Sequence, residues 1–223
     1  MRYLLSVFIV MKSLIFFSQG KYAAIQKFSI RTNVGVPKAV SSKQFRYSFK
    51  GVLAADANIN YKLFSNFFVG VGYSYHYYSS QDSFANPYAS RINTNLQMHF
   101  GYLKLGYDHY VNEKTFVNFS LNGGYNYSLY EGVQYKNDSL KGKYPTKFSG
   151  GFVEPMVGIY YLVDPNFAIG GHITYNYNFT LFNSLYPQLN QWGSSGYTKL
   201  PNKWNMSIIT FGFGLYYGIT NKK

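Results

Sequence analysis

The sequence predicts an all-β fold, an eight-stranded antiparallel up-and-down transmembrane β-barrel, and three observations predict it. Alternation with period two recurs eight times between residues 28 and 219, with no sustained helical period. The connections between these segments are short and long by turns. In each clear segment the bulky apolar residues hold one face and the small or polar residues the other.

The segments run 28–36, 46–63, 67–79, 94–110, 115–135, 148–163, 167–182 and 203–219. The second sets Leu53, Ile59, Tyr61 and Leu63 against Ala54, Asp56, Asn58 and Asn60. In the third, "FFVGVGYSYHYY", Phe67, Val69, Val71, Tyr73, Tyr75 and Tyr77 oppose Gly70, Gly72, Ser74, His76 and Tyr78. The fourth shifts its apolar parity from Leu96, Met98 and Phe100 to Leu103, Leu105 and Tyr107, which predicts a bulge near Gly101. The fifth opposes Val117, Phe119, Leu121, Tyr125, Tyr127 and Leu129 to Asn118, Ser120, Asn122, Gly124 and Asn126. Pro155 falls inside the sixth, where a missing ladder donor also predicts a local bulge. The seventh sets Phe167, Ile169, Ile173, Tyr175, Tyr177 and Phe179 against Gly170, His172, Thr174, Asn176 and Asn178. The eighth alternates Ile209, Phe211, Phe213, Leu215, Tyr217 and Ile219 with Thr210, Gly212, Gly214, Tyr216 and Gly218.

Three connections, "FSN" (64–66), "VNEK" (111–114) and "DPN" (164–166), carry the residues of tight turns. The other four, 37–45, 80–93, 136–147 and 183–202, are long and rich in Ser, Asn, Pro, Lys and Gly. That asymmetry is the build of bacterial outer-membrane barrels, and it puts both termini on the periplasmic side. Volume then orients the faces. Eight strands enclose a bore only wide enough for side chains, so the small polar set belongs inside and the large apolar set faces lipid, where a closed sheet leaves no backbone unpaired.

Composition agrees. Aromatic residues make up 21 % of the chain and charged residues 13 %, against about a quarter charged in soluble domains. The absence of cysteine removes disulfides and thiolate metal sites, and no motif calls for a cofactor. "MRYLLSVFIVMKSLIFFSQG" has a basic start, an apolar run and small residues before Lys21, the layout of a signal peptide over 1–20, leaving 21–223 as the barrel domain.

Through this rhythm, the stretch "FVEPMVGIYYLVDPNFAIGGHITYNYN" and the ending "FGFGLYYGI", the chain resembles the small outer-membrane barrels of the OmpA, OmpX and PorT type. The resemblance implies an envelope role, since that family includes adhesins, structural anchors and secretion accessories. It also implies a terminal aromatic read by the assembly machinery, whereas here Tyr217 is followed by Gly218, Ile219 and "TNKK".

The inward face predicts a polar lumen cluster of Arg31, Lys50, Asp56, Lys62, His76, Lys104, Asp108, Glu154 and His172. Buried charges need partners, so the expected arrangement is a salt-bridged plug, with a narrow histidine-gated channel as the alternative. A lipid A-modifying enzyme is a third reading, with His76 beside Ser79, Ser80 and Asp82, or His99, as base; no motif spacing supports it, and no catalytic residue is assigned. On the long loops Lys38, Lys43, Arg46, Arg91, Lys136, Lys141, Lys143, Lys147 and Lys199 stand against Asp82 and Asp138 alone. Such a basic extracellular rim attracts polyanions, which points to outer-membrane lipid and lipopolysaccharide, or an envelope protein, as partner. Nucleic acid is a poor partner because no recognition motif accompanies the charge.

Overall fold

The computed structural model describes residues 26–41, 45–46, 49–80, 90–136, 139–183 and 203–220. The expected leader, 1–20, lies outside them. Eight strands form one closed barrel in chain order: β1 (Gln26–Ala39), β2 (Phe49–Phe64), β3 (Phe67–Ser80), β4 (Ser90–Tyr110), β5 (Thr115–Lys136), β6 (Ser139–Asp164), β7 (Phe167–Asn183) and β8 (Lys203–Thr220). Every neighbouring pair is antiparallel, and β1 closes the sheet on β8 through pairs such as Ile30↔Tyr217 and Val34↔Phe213. Closure leaves no lateral edge within the wall, the condition for strands in hydrocarbon.

The tight turns form by the expected chemistry. Asn112 Oδ1 accepts from the amides of Lys114 and Thr115 (2.9 and 2.8 Å), and Asp164 Oδ1 from those of Asn166 and Phe167 (2.7 and 2.9 Å). Between β2 and β3, Ser65 takes the left-handed conformation, φ 45°.

The large apolar side chains point outward. Leu103 is 72 % and Phe213 80 % exposed, while Asn58, Asn118, Asn122 and Asn176 are buried in the bore. Water would not tolerate so continuous an apolar wall; acyl chains require one. The barrel is therefore a transmembrane one.

Four expectations need correction. β4 has no bulge at Gly101, for its pairing to β3 and β5 runs unbroken from Asn95 to Tyr107. Leu96, Met98 and Phe100 instead point inward and are buried, since the loop end of the bore is filled by apolar residues. Pro155 causes no bulge either. It faces outward, and the β6–β7 ladder skips Glu154 and Pro155 and resumes in the same register, from Val153↔Tyr177 to Met156↔Thr174. Two ladder positions are lost, but the strand keeps its course. The stretch 136–147 is not a long loop, because β5 and β6 stay paired as far as Lys136↔Ser139. Finally, a bulge absent from the sequence reading lies in β2 between Gly51 and Leu53. It reverses the faces of the residues before it, so Lys50 is exposed on the outer wall and Phe49 buried in the lumen.

Candidate functional site

The bore is filled at three successive heights, and the inward residues of β4 read them in order: Leu96, Met98 and Phe100, then Tyr102, Lys104 and Asp108, then Tyr110. At the turn end Phe116 stacks on Tyr160 with centroids 5.2 Å apart and planes 10° apart, and Tyr216 and Tyr110 pack on Phe116 at 5.5 and 5.2 Å. Leu162 and Ala168 complete this aromatic floor. At the loop end Phe100 and Phe152 meet edge to face at 4.9 Å, and Phe49 meets Tyr130 at 6.0 Å. Phe45, Tyr78, Leu96, Met98, Met206 and Ile208 join them in a dry cluster.

Between the two lies the polar layer. Arg31, 1 % exposed, donates to Asp108 at 2.6 Å, and its guanidinium sits 4.3 Å from the Phe68 ring and 5.0 Å from that of Tyr216. Asn118 donates to the other Asp108 oxygen at 2.8 Å. Asp56 accepts from Asn33 at 2.7 Å, from Asn58 at 2.8 Å and from the Tyr102 hydroxyl. Glu154 accepts from Asn122 and Asn176, each at 2.9 Å. Lys104 is buried with its ammonium 3.8 Å from the Met156 sulfur.

Among the described residues the lumen holds small cavities, of which two stand out. One is lined by Arg31, Lys62 and Asp108, the other by Asp56, His76, Glu154 and His172, and each has about 20 Å³, room for about one water. Eight of the nine sequence-predicted lumen residues thus face the bore, with Lys50 outside it. Its departure balances the layer: Arg31, Lys62 and Lys104 stand against Asp56, Asp108 and Glu154. Burying charge without balance is costly, so the relocation of one lysine matters to the whole bore.

The sequence places Asn122 and Asn176 on the inner face without giving them a role, and it does not single out Tyr102, Phe116 or Tyr160. Tyr102, Asn122 and Asn176 hold the carboxylates, and Phe116 and Tyr160 close the floor. The available signal was inward parity combined with paired glycines. A Cβ at position 106 would lie 2.2 Å from the Phe68 ring, and one at 72 would lie 2.4 Å from Tyr102, so inward glycines are sockets for inward aromatics.

Of the enzyme candidates, His76 and Ser79 are separated. His76 points inward against Phe100 (4.9 Å), whereas Ser79 is on the outward face. His99 is also outward, and its Nδ1 shares a 2.6 Å hydrogen bond with the Tyr73 hydroxyl. A nucleophile and base on opposite faces of one sheet cannot meet. The Ser80 side chain and Asp82 lie outside the described residues. Among the described residues no three His, Asp or Glu side chains gather as a metal site.

Of the basic rim, Lys38 on β1, Arg46 and Lys147 on β6 are exposed. Arg91, Lys136, Lys141 and Lys143 fall within strands β4, β5 and β6 instead of loops. Lys43 and Lys199 lie outside the described residues.

No family model matches the chain, and no curated protein matches it. Solved structures do. Neisserial surface protein A is 16 % identical, with 88 % of this chain and 99 % of that one covered and a TM-score of 0.50. The fold is that of a small outer-membrane β-barrel. A major outer membrane protein of Thermus thermophilus is 11 % identical, over 86 % of this chain and 99 % of that one, with a TM-score of 0.48. Ail, the attachment invasion locus protein of Yersinia pestis, is 12 % identical over 86 % and 99 %, with a TM-score of 0.45.

Proposed function

We propose that this chain is an integral, non-enzymatic protein of a bacterial outer membrane, with periplasmic termini, that acts from its outer surface as a structural, surface-binding or secretion-accessory component of the envelope. Its basic rim contacts lipopolysaccharide or an envelope protein. One observation carries the reading: among the described residues the bore is packed with side chains at three heights, and the cavities at Arg31 and at Glu154, of about 20 Å³ each, have room for about one water. A protein whose interior is spent on its own packing has its outside left for work. Strand length supports this. A barrel strand crosses the bilayer in about 9–11 residues, but β4, β5 and β6 have 21, 22 and 26. About half of each is therefore available to stand above the membrane as a paired ribbon.

Planar-bilayer recording of the purified protein tests the closed bore. The expected trace has no stable openings; openings whose conductance shifts in Glu154→Gln would replace this reading with a narrow channel. Mass spectrometry of lipid A from expressing cells is expected to show no new species, and a modified lipid A would revive the enzyme.

A further inference from the structure

Two lysines on the lipid-facing wall lie where a membrane protein gains from an anion. The β2 bulge turns Lys50 outward, opposite Ser79 of β3, and Lys38 of β1 is outward opposite Ile209 of β8. Gly51 sits so close to the Pro37 carbonyl that a Cβ there would fall 1.6 Å from its oxygen. The strands run antiparallel, so the residues flanking that contact, Lys38 and Lys50, are cross-strand neighbours. Like charges side by side on a sheet repel. Among the described residues neither lysine has a carboxylate partner, and Arg46, in the segment joining the two strands, is exposed as well.

Height decides what would neutralise them. The turn-end aromatic girdle on these strands is the Phe28–Tyr61 pair, with centroids 5.0 Å apart. Lys38 is ten residues farther along β1 than Phe28. At about 3.3 Å per residue and a tilt of about 40°, that is about 25 Å, the height of the apolar band of an outer-membrane barrel. The lysines therefore stand at headgroup level. Directly beneath them the same wall is greasy, with Val34, Val36, Phe211 and Phe213 exposed by 55, 58, 57 and 80 %. Cations above an apolar lane match an amphiphile that carries phosphate above acyl chains, and in the outer leaflet of an outer membrane that amphiphile is lipid A.

We propose that Lys38 and Lys50 form a phosphate site for lipid A of the outer leaflet, with its acyl chains lying on the β8–β1 lane of Val34, Val36, Phe211 and Phe213. This rests on the reading above that the loop end faces the cell exterior. Along the ladder row that runs on from Lys50 through Ser79, β4 and β5 present Asn95 and Glu131, so the site belongs to the β1–β2 sector and not to the whole rim.

Native mass spectrometry of the full chain purified from membranes in detergent provides the test, with bisphosphorylated lipid A and its dephosphorylated form as probes. The wild type is expected to prefer the phosphorylated lipid, and Lys38→Ser/Lys50→Ser to bind it about tenfold more weakly, the change one lost charge-assisted hydrogen bond brings. Lys38→Arg/Lys50→Arg is expected to retain the preference, as is Lys27→Ser/Lys114→Ser, which removes exposed charge at the opposite end. Far-UV circular dichroism reports whether each variant keeps its strands. If the wild type has the preference and Lys38→Ser/Lys50→Ser keeps it undiminished, this site is wrong and the polyanion-seeking rim stands. If the wild type binds both lipids alike, the rim reading falls and this site with it. An equal loss in Lys27→Ser/Lys114→Ser would make the attraction diffuse charge and overturn the site.

Discussion

The most demanding residue in the molecule is Arg31, a guanidinium 1 % exposed inside a lumen that lies within a membrane. Three contacts make it tolerable: the 2.6 Å pair with Asp108 and the ring faces of Phe68 and Tyr216. Asp108 is in turn held by Asn118 at 2.8 Å. A buried pair of this kind contributes little against an apolar replacement, while breaking it leaves one charge stranded, which costs about 3–5 kcal/mol. Asp108→Asn is accordingly expected to lower unfolding free energy by about that amount, and Arg31→Met/Asp108→Leu to recover most of it. Urea titration of the barrel folded in detergent micelles measures both. A double variant as unstable as the sum of its single substitutions would mean that Arg31 and Asp108 do not act as a pair.

At the level of elements, strand order, hairpin turns and the inside-out faces were legible because each follows from a local period of two or from turn residues such as Asn112 and Asp164. Most of the lumen cluster was legible for the same reason, since parity alone sends Arg31, Asp56, Lys104 and Glu154 inward. What escaped is whatever depends on a neighbouring strand. The β2 bulge shows only in pairing with β3, and it moved Lys50 from the lumen to the wall. β4 looked bulged because the bore was expected to be polar throughout, whereas Leu96, Met98 and Phe100 build its dry end. Glycine follows the same division. Gly72 faces inward with a virtual Cβ 2.4 Å from Tyr102, while Gly123 faces outward with nothing within 4 Å. Gly72→Val should therefore overpack the bore and cost about 1–3 kcal/mol. Gly123→Val should be neutral or gain up to about 1 kcal/mol by strand preference. Thermal unfolding followed by the shift in electrophoretic mobility compares the two; equal losses would contradict the socket reading of the inward glycines.

For the molecule as a whole, the floor and the dry cluster are seals in series, with the charge-balanced layer between them. Seals in series fail only together, because water admitted past one still meets the other. Removing the floor with Phe116→Ala/Tyr160→Ala deletes the 5.2 Å stack at the turn end of the bore. It leaves Phe100 against Phe152 and Phe49 against Tyr130 in place. Each large-to-small change at a buried aromatic costs about 3–5 kcal/mol, so the variant should melt earlier yet remain silent in planar bilayers. Opening the loop end as well, with Phe100→Ala/Phe152→Ala, should let ions reach the Asp56 and Glu154 carboxylates from both sides, and conductance should appear in the combined variant alone. Steady current through Phe116→Ala/Tyr160→Ala by itself would show that the loop-end cluster does not seal, and would make the floor the protein's gate.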